Sequence, residues 1–303
     1  MAIWFISETA GKLHSGNRMV DTQARFQEIA PDLELTSNGW WRSRKLSAVS
    51  YPDEGNELCF LVEDSSFWFE HRNHCILEAM RQFPPRGTFF DVGGGNGCVA
   101  RAIQESGREV VLMEPGLAGV QNALSRGIQR VVRGTLDDAG IVADSLPAVG
   151  LFDVVEHIED DVGFMARVHR LLVPEGRVYI TVPAFQWLWS SEDELAGHSR
   201  RYTLSTLRRL VEQAGFEVEL GTYFFGFLPL PILVRRVIPY RLGLKATIGE
   251  SAVRSDHLAG NSFVRRMLRA LMRRELSRIA RRWPVRMGGS CLLVARKRPA
   301  LPR

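Results

Sequence analysis

The residues with the clearest chemical potential form a glycine-rich run, Asp91-Val-Gly-Gly-Gly-Asn-Gly97, in a chain of 303 residues. The run follows a short apolar segment, 88–92, which predicts a strand, and it precedes a segment, 99–106, which predicts a helix. Glycine is required where a backbone turns tightly and lets a ligand approach closely. Four glycines within five residues therefore favour a ligand-binding loop over a simple tight turn.

The spacing of the glycines distinguishes between kinds of nucleotide. A dinucleotide loop, G-x-G-x-x-G, would need glycine at Asn96 or Cys98, and no G-x-x-x-x-G-K-[ST] phosphate loop occurs. The pattern D-x-G-x-G-x-G fits at every place: Asp91, Gly93, Gly95 and Gly97. This pattern resembles motif I of the class I S-adenosylmethionine-dependent methyltransferases. The resemblance implies that these four residues bind S-adenosyl-L-methionine.

Two acidic residues are candidates for the nucleoside part of that cofactor. Glu114 ends the second predicted strand, 110–113, where a carboxylate can accept hydrogen bonds from both ribose hydroxyls. The family resemblance extends to this position. For the adenine, many family members have an acid directly after a glycine, where this chain has Thr135. Asp137 is then the candidate, and the backbone around Leu136 is the alternative.

An aromatic segment upstream of the glycine loop extends the resemblance. Residues 66–72, Ser-Phe-Trp-Phe-Glu-His-Arg, resemble the W-F-x-x-R segment that precedes motif I in one methyltransferase subgroup. That subgroup includes ubiquinone-pathway, glycan and natural-product O-methyltransferases. The resemblance implies that Arg72 reaches the cofactor's carboxylate and that Trp68 and Phe69 wall the pocket. The alternative is a helix core for the two rings and a solvated arginine.

Catalytic candidates follow the fourth predicted strand, 147–152. The segment from Asp153 to Asp161 looks like the L-E-H-I segment of the same subgroup. Ligands bind at the carboxyl ends of strands in open α/β sheets, which is where Asp153 stands. His157 lies four residues later, on the same face of a predicted helix. An imidazole there can take a proton from a hydroxyl at neutral pH, although a structural role is the alternative.

A second loop, after the fifth predicted strand, is the candidate for binding the methyl acceptor. Residues 182–203 resemble the family's V-P-A … G-H-x-R-R-Y-T stretch, and loops at strand ends carry binding residues. The residues that would hold an anionic or polyhydroxylated acceptor are His198, Arg200, Arg201 and Tyr202. The alternative is that this stretch caps the next helix through Thr203.

Strands and helices alternate along most of the chain, which predicts a parallel sheet covered on both faces. We expect an α/β fold: a Rossmann-like, doubly wound, seven-stranded sheet with its last strand antiparallel and a helical insertion before that strand. The predicted units are an N-terminal extension (1–64), a methyltransferase core (65–225), a basic amphipathic helical insertion (226–288) and the last core strand with a tail (289–303).

Charge is divided unequally along the chain, whose formal net charge is +5. Residues 235–303 contain 18 Lys and Arg but three acids, a net charge of +15, whereas the remainder carries −10. Helical spacing in this region predicts an amphipathic helix. Its outward-facing arginines would be Arg265, Arg269, Arg273 and Arg278. Its inward-facing apolar residues would be Leu268, Leu271 and Ile279. This pattern favours an anionic membrane surface over nucleic acid. A packed lid is the alternative.

Composition limits the class of protein. Hydrophobic residues make up 45% and charged residues 24%, which excludes bulk disorder. Four dispersed cysteines argue against a zinc ribbon and against a disulfide framework, and they fit a reducing cytosol. The N-terminus is a poor signal peptide, and the longest apolar run is too short to span a bilayer. We expect a cytoplasmic protein, peripheral on the inner face of the membrane, with no metal.

The predicted function is O-methylation of a small-molecule, glycan or lipid-linked acceptor with S-adenosyl-L-methionine as methyl donor. The catalytic residues would be His157 and Asp153. N-methylation of tRNA or protein is the nearest alternative. A non-catalytic cofactor-binding module, with the basic insertion as its interaction surface, is an alternative of another class.

Overall fold

The computed structural model describes residues 26–47, 53–244 and 262–299. The strands are β1 (Leu33–Leu35), β2 (Trp41–Ser43), β3 (Phe89–Val92), β4 (Val110–Glu114), β5 (Val131–Arg133), β6 (Leu146–Phe152), β7 (Leu172–Pro183), β8 (Phe216–Phe224) and β9 (Ser290–Lys297). The α-helices are α1 (Asp53–Glu63), α2 (Phe67–Gln82), α3 (Cys98–Glu105), α4 (Leu117–Ser125), α5 (Asp161–Leu171), α6 (Ser191–Ala196), α7 (Leu204–Gln213), α8 (Pro229–Ile232), α9 (Ile238–Arg241) and α10 (Ser262–Ala280).

All nine of these strands belong to one sheet, in the order β1-β2-β5-β4-β3-β6-β7-β9-β8. Strand β3 lies between β4 and β6 and is parallel to both, and β9 is antiparallel to its neighbours β7 and β8. The α/β Rossmann-like class is therefore confirmed. The carboxyl ends of β3, β4 and β6 meet at one edge, which is where ligands bind in such sheets.

The prediction of seven strands is wrong for this sheet. The two additional strands, β1 and β2, come from the N-terminal segment and extend the edge beyond β5, where Trp41 pairs with Val132. Each has only three residues. Strands this short show no usable alternation of apolar and polar residues, so they give no sequence signal.

The central strands are buried on both faces. Neighbouring side chains of a strand point to opposite faces, so Phe89 and Phe90 of β3 enter two different apolar clusters. Helix α2 covers one face and begins after Ser66, whose hydroxyl accepts a hydrogen bond from the Trp68 amide at 3.1 Å. Its buried face contributes Cys75, Ile76 and other residues to the second cluster.

The predicted insertion lies between β8 and β9. It contains α8, a π-helical turn (Leu233–Val237), α9 and α10; residues 245–261 lie outside the described ranges. Helix α10 exposes Arg265, Arg269, Arg273 and Arg278, as predicted. Its buried residues are Met272, Glu275 and Ile279, so the prediction for Leu271, which is exposed, is wrong.

A buried acid fixes α10 on the core. The Glu275 carboxylate accepts hydrogen bonds from the amides of Phe225 and Gly226 at 2.7 and 2.6 Å, and it lies 2.7 Å from His71 Nε2 on α2. A buried carboxylate with three partners is stable where an isolated one would be costly. Phe224 and Phe225 are fully buried beside it. They are therefore not available to a membrane.

Within the described ranges, no helix combines the length and the apolar character needed to cross a membrane.

Candidate active site

The glycine loop joins β3 to α3 in the conformation that its sequence requires. Gly93 and Gly97 have φ angles of +68° and +79°, in the left-handed region that disfavours other residues. A Cβ on Gly93 would also lie 2.8 Å from Val154 Cγ2, and one on Gly97 would lie 3.1 Å from Ala123 Cβ. The loop is therefore restricted to glycine by backbone conformation and by close approach of its neighbours.

Glu114, at the end of β4, is bound to this loop. Its Oε2 accepts the Gly95 amide at 2.9 Å, and its Oε1 accepts the Gly116 amide at 2.7 Å. A carboxylate has about four acceptor positions and is therefore suited to accept the hydroxyls of a ribose as well as backbone amides. In the structure Glu114 shapes the loop through these two bonds, and its contact with a ribose stays a prediction.

Asp91 lies beneath the loop and is almost fully buried. No hydrogen bond of ordinary length and angle reaches its carboxylate oxygens, although the Ala100 amide is close enough to lower its pKa. Burial raises the pKa of Asp91 to about 7, an increase that the nearby charge of Arg72 limits. A buried acceptor without a full set of donors, next to a glycine cradle, fits the cationic methionine part of S-adenosylmethionine.

The N-terminal segment closes the other side of the loop. Glu63, at the end of α1, forms a buried ion pair with Arg126 and accepts a hydrogen bond from the Asn96 side chain at 3.2 Å. Arg126 in turn donates to the Asn96 carbonyl at 2.9 Å. Asn96 of the loop thus depends on residues 33 positions before it and 30 positions after it, and no local sequence pattern identifies them.

Asp137, the adenine candidate, is exposed after β5 and lies 3.4 Å from Arg167. Its neighbour Asp138 is the buried acid, and it accepts hydrogen bonds from the Thr135 amide at 3.1 Å and from the Ser47 hydroxyl at 2.6 Å. Asp138 therefore fixes the turn after β5 to the N-terminal segment. A contact between Asp137 and an adenine amine stays a prediction.

Arg72 is buried and forms an ion pair within the protein. Its Nη1 donates to Asp153 Oδ2 at 2.6 Å, and its guanidinium lies 4.8 and 5.0 Å from the ring centroids of Trp68 and Phe69. Asp153 also accepts the Thr181 hydroxyl at 3.1 Å. Two predicted site residues, one for cofactor and one for catalysis, are thus joined. The buried Nε of Arg72 makes no hydrogen bond within the described protein and is suited to a ligand's carboxylate.

The segment after β6 is a short 3₁₀ turn, Val155–His157, and not the predicted α-helix. Asp153 precedes it with φ of +59°, a strained conformation for a residue other than glycine. Asp153 and His157 therefore do not share a helix face, and that expectation is wrong. Strain of this kind persists only where surrounding contacts enforce it, here the bonds to Arg72 and Thr181.

His157 is partly buried and packs against His198, with ring centroids 4.8 Å apart and planes at 79°. Burial and the neighbouring His198 lower the pKa of His157 to about 4. The imidazole is therefore neutral at physiological pH; it can bind a cation, and it accepts a proton as a weaker base than a free imidazole.

The predicted acceptor residues take part in two internal networks. His198 Nδ1 lies 2.8 Å from Asp193 Oδ1, and Arg201 donates to both oxygens of the same buried carboxylate at 2.7 and 3.0 Å. Arg200 and the Tyr202 hydroxyl contact Asp161 at 2.6 and 2.7 Å. These bonds fix the loop next to His157. The side chains of Arg200 and Arg201, which were expected to bind the acceptor, form ion pairs within the protein. Thr203 caps α7, as the alternative interpretation held.

Glu156 is a residue of this region that sequence analysis missed as a functional candidate. It is fully buried between the two networks, and burial and the nearby charge of Asp153 raise its pKa well above the usual range. Its only sequence signal is its position beside His157, because nothing local reveals that a glutamate in a turn will be buried.

Comparison with known proteins agrees with this geometry. A family model described as a methyltransferase domain matches residues 68–220, half of the chain. A probable S-adenosylmethionine-dependent methyltransferase of Mycolicibacterium smegmatis is 26% identical over 167 residues, which cover 54% of this chain and 65% of that protein. The chain thus spans less than two thirds of the length of this curated relative.

Solved structures with the same fold include phosphoethanolamine N-methyltransferase 2 of Haemonchus contortus in complex with phosphomonomethylethanolamine and S-adenosylhomocysteine. Its TM-score with this chain is 0.53 and its sequence identity is 17%. The match covers 82% of this chain and 58% of that one. A structure of the same protein with S-adenosyl-L-methionine gives a TM-score of 0.51, with the same identity and coverage. Identity this low supports the fold alone. The family model confirms the predicted family, and the curated relative agrees with the predicted cofactor. The chain belongs to the methyltransferase-domain family.

Proposed function

We propose that this enzyme methylates a hydroxyl oxygen of a small-molecule, glycan or lipid-linked acceptor. The observation that carries the proposal is the neutral imidazole of His157 at the carboxyl end of β6, beside Asp153 and at the edge where the glycine loop lies. An amine acceptor needs only its neutral form to react, whereas a hydroxyl must lose its proton during transfer. A neutral base at this position therefore favours oxygen as the acceptor atom.

Residues on the other side of the site would hold the cofactor. Gly93, Gly95 and Gly97 supply the backbone cradle, Glu114 the acceptor for the ribose hydroxyls, and Asp91 the buried negative charge near the methionine part. Arg72 would bind the cofactor's carboxylate while it holds Asp153, and Asp137 would bind the adenine amine. In the transfer, the sulfonium–methyl bond breaks, its electron pair stays on sulfur, and the methyl group forms a bond to the acceptor oxygen.

His157 and Asp153 would act on the acceptor hydroxyl. The imidazole accepts the proton as the oxygen attacks, and Asp153, fixed by Arg72 and Thr181, keeps a negative charge on the same side. The loop that contains His198 and Arg200 would form the acceptor side of the site. Arg201 and Tyr202 would act as positioning residues there, since their polar atoms bind Asp193 and Asp161.

Product analysis tests the acceptor atom directly. The purified chain is incubated with methyl-labelled S-adenosylmethionine and separate polar and lipid extracts of the native cell, and labelled products are identified by mass spectrometry and by the carbon chemical shift of the new methyl group. We expect an oxygen-bound methyl group in the lipid or glycan fraction. A nitrogen-bound methyl group on tRNA or protein would contradict the proposal.

An exposed apolar stripe supports a lipid surface as the source of the acceptor. Leu230, Val234, Ile238 and Leu242 recur every fourth residue along the helical segment from α8 through α9, and all four are exposed. Residues four apart lie on one helix face, so these side chains form a continuous strip. Soluble proteins rarely leave such a strip uncovered without a binding role.

The same segment is attached to the acceptor side of the site. The Tyr240 hydroxyl donates to Glu194 of α6, Arg236 lies 3.4 Å from Glu192, and Arg241 donates to the Trp187 carbonyl at 3.2 Å. Helix α6 also contains Asp193, which holds His198 and Arg201. A membrane bound by this strip would therefore lie close to the loop that receives the acceptor.

The arginines of α10 would add electrostatic attraction to anionic lipid, and vesicle binding tests this. We expect the chain to sediment with anionic vesicles, more weakly with neutral ones, and less as salt increases. Each basic side chain near such a surface contributes about 1 kcal/mol, so replacement of Arg265, Arg269, Arg273 and Arg278 by Gln should weaken binding by up to about 10³-fold.

Two further variants complete the vesicle experiment. Replacement of Leu230 and Leu242 by Gln should weaken binding to anionic and neutral vesicles alike, since it removes apolar contact. Replacement of Arg208 and Arg209, which are exposed on α7, should leave binding unchanged. A wild-type protein that does not bind anionic vesicles at low salt would refute the membrane association.

A further inference from the structure

Three side chains with metal-binding atoms meet between the 3₁₀ turn after β6 and the loop before α7. They are Glu156, His157 and His198, and one ligand atom of each lies within 4.8 Å of the others. Two imidazoles and one carboxylate are a donor set that binds divalent transition metals. Ligand atoms on such a cation are about 3.4 Å apart, given bonds of about 2.1 Å. A small inward rotation of side chains would therefore complete the site.

Glu156 provides the strongest sign that something is bound there. Its side chain is fully buried, and within the part of the chain that the structure describes neither carboxylate oxygen accepts a hydrogen bond of ordinary length and angle, apart from a weak contact with the residue's own amide. Buried polar groups are nearly always paired, because an unpaired one forfeits its interactions with water. A cation between this carboxylate and the two imidazoles would supply the missing partner.

The surroundings of His198 are those of a metal ligand. Its Nδ1 lies 2.8 Å from Asp193, whose buried carboxylate is fixed by two bonds from Arg201. A carboxylate accepts hydrogen bonds, so Nδ1 carries the proton and Nε2 keeps its lone pair. Histidine ligands in metalloproteins are commonly held by a carboxylate in this way, which fixes both the tautomer and the orientation of the ring.

A second group of side chains with metal-binding atoms differs from this one in its hydrogen bonds. His71, Cys75 and Glu275 also lie close together, but there the Glu275 carboxylate accepts two backbone amides and lies 2.7 Å from His71. That carboxylate is fully partnered without an ion. Its hydrogen bonds explain the group as an anchor for α10, whereas no comparable set of bonds accounts for Glu156.

We propose that Glu156, His157 and His198 bind one divalent transition-metal cation at the acceptor side of the site. The inference rests on the proposed O-methylation and deepens it. A cation on His157 occupies the lone pair that would otherwise take the proton. The cation would instead polarise the acceptor hydroxyl and lower its pKa, so that the hydroxyl releases its proton to solvent water and the resulting oxygen anion attacks the methyl group. A substrate with two neighbouring hydroxyls is the class best suited to such a cation.

Cobalt binding tests the site without any need for the acceptor. The full chain is freed of metal with a chelator and titrated with Co²⁺, and the visible absorption of the bound ion is recorded. We expect saturation at one ion per chain, with nitrogen and oxygen ligation and no thiolate absorption. Glu156→Gln and His198→Gln should each weaken binding at least about 100-fold. Cys75→Ala should leave it unchanged.

Calorimetric binding of S-adenosylhomocysteine to every variant shows whether the fold is retained. His74→Ala, an exposed histidine on α2, is the matched control and should bind Co²⁺ normally. Absence of saturable binding to the wild-type chain, or equal binding by the Glu156 and His198 variants, would overturn the inference. Oxygen methylation that continues undiminished in metal-free protein would also overturn it and leave the proposed function intact. Cobalt bound at this site with methylation on nitrogen alone would refute the proposed function instead.

Discussion

Replacement of His157 by alanine should lower the turnover number by about 10²–10⁴-fold, which is the usual contribution of a group that promotes proton transfer. The effect should appear in the chemical step, because His157 lies on the acceptor side and contacts His198 rather than the glycine loop. The affinity for S-adenosylhomocysteine should change little. Single-turnover methyl transfer and calorimetry measure the two quantities separately.

Two variants accompany this measurement. His157→Gln keeps most of the volume of the side chain, so a similar loss of turnover in it would show that chemistry and not packing is affected. His74→Ala removes an exposed histidine from α2 and should retain full activity. A loss of only a few-fold in the chemical step of His157→Ala would reduce His157 to a positioning or structural role.

The glycine loop and the end of β4 could be predicted from the sequence because their backbone determinants are local, whereas the bonds of Asn96 with Glu63 and Arg126 could not. Gly93 and Gly97 adopt positive φ angles within one loop, and Glu114 ends a buried strand that is recognisable from its apolar residues. The alternation of strands and helices likewise follows from short-range periodicity. Such features depend on neighbours in the chain, so their spacing alone predicts them.

The acceptor side depends on contacts between distant residues. Arg72 meets Asp153 across 81 positions, and Ser199 donates its amide to the Glu156 carbonyl across 43. No local pattern reveals that these partners will meet, or that the partner of an arginine will be a protein carboxylate instead of a ligand. Arg201 was likewise expected to bind the acceptor, because no local pattern reveals that its partner is Asp193.

The structure of the insertion depends partly on local spacing and partly on contacts between distant residues. The exposure of its arginines follows from the spacing of charges, whereas Leu271 is exposed although the spacing predicts it inside, and Met272 is buried. The orientation of α10 is set by Glu275, which must reach the amides of Phe225 and Gly226. A single buried polar contact can thus rotate a helix away from the face that its apolar residues predict.

Replacement of Gly95 by valine should abolish binding of S-adenosylmethionine and S-adenosylhomocysteine. Gly95 has φ of +52°, and its amide donates to Glu114 at 2.9 Å, so it links the turn of the loop to the predicted ribose acceptor. A β-branched side chain disfavours this conformation by about 1–2 kcal/mol and would also occupy the space of the methionine part. Calorimetry with S-adenosylhomocysteine, and with NAD as a ligand that should not bind, measures the effect.

A substitution at a second glycine separates the effect of backbone strain from the effect of filling the cofactor's space. Gly107 has φ of +83° after α3, and a Cβ there would meet nothing within 4 Å. Gly107→Val therefore carries the same conformational cost without filling the cofactor's space, and it should bind S-adenosylhomocysteine as the wild type does. If Gly95→Val binds as well as Gly107→Val, the glycine loop is not the cradle of the cofactor. If Gly95→Val alone loses binding, the methionine part of the cofactor lies in the volume above Gly95, next to Glu114. The hydrogen bond between the Gly95 amide and Glu114 predicts this arrangement.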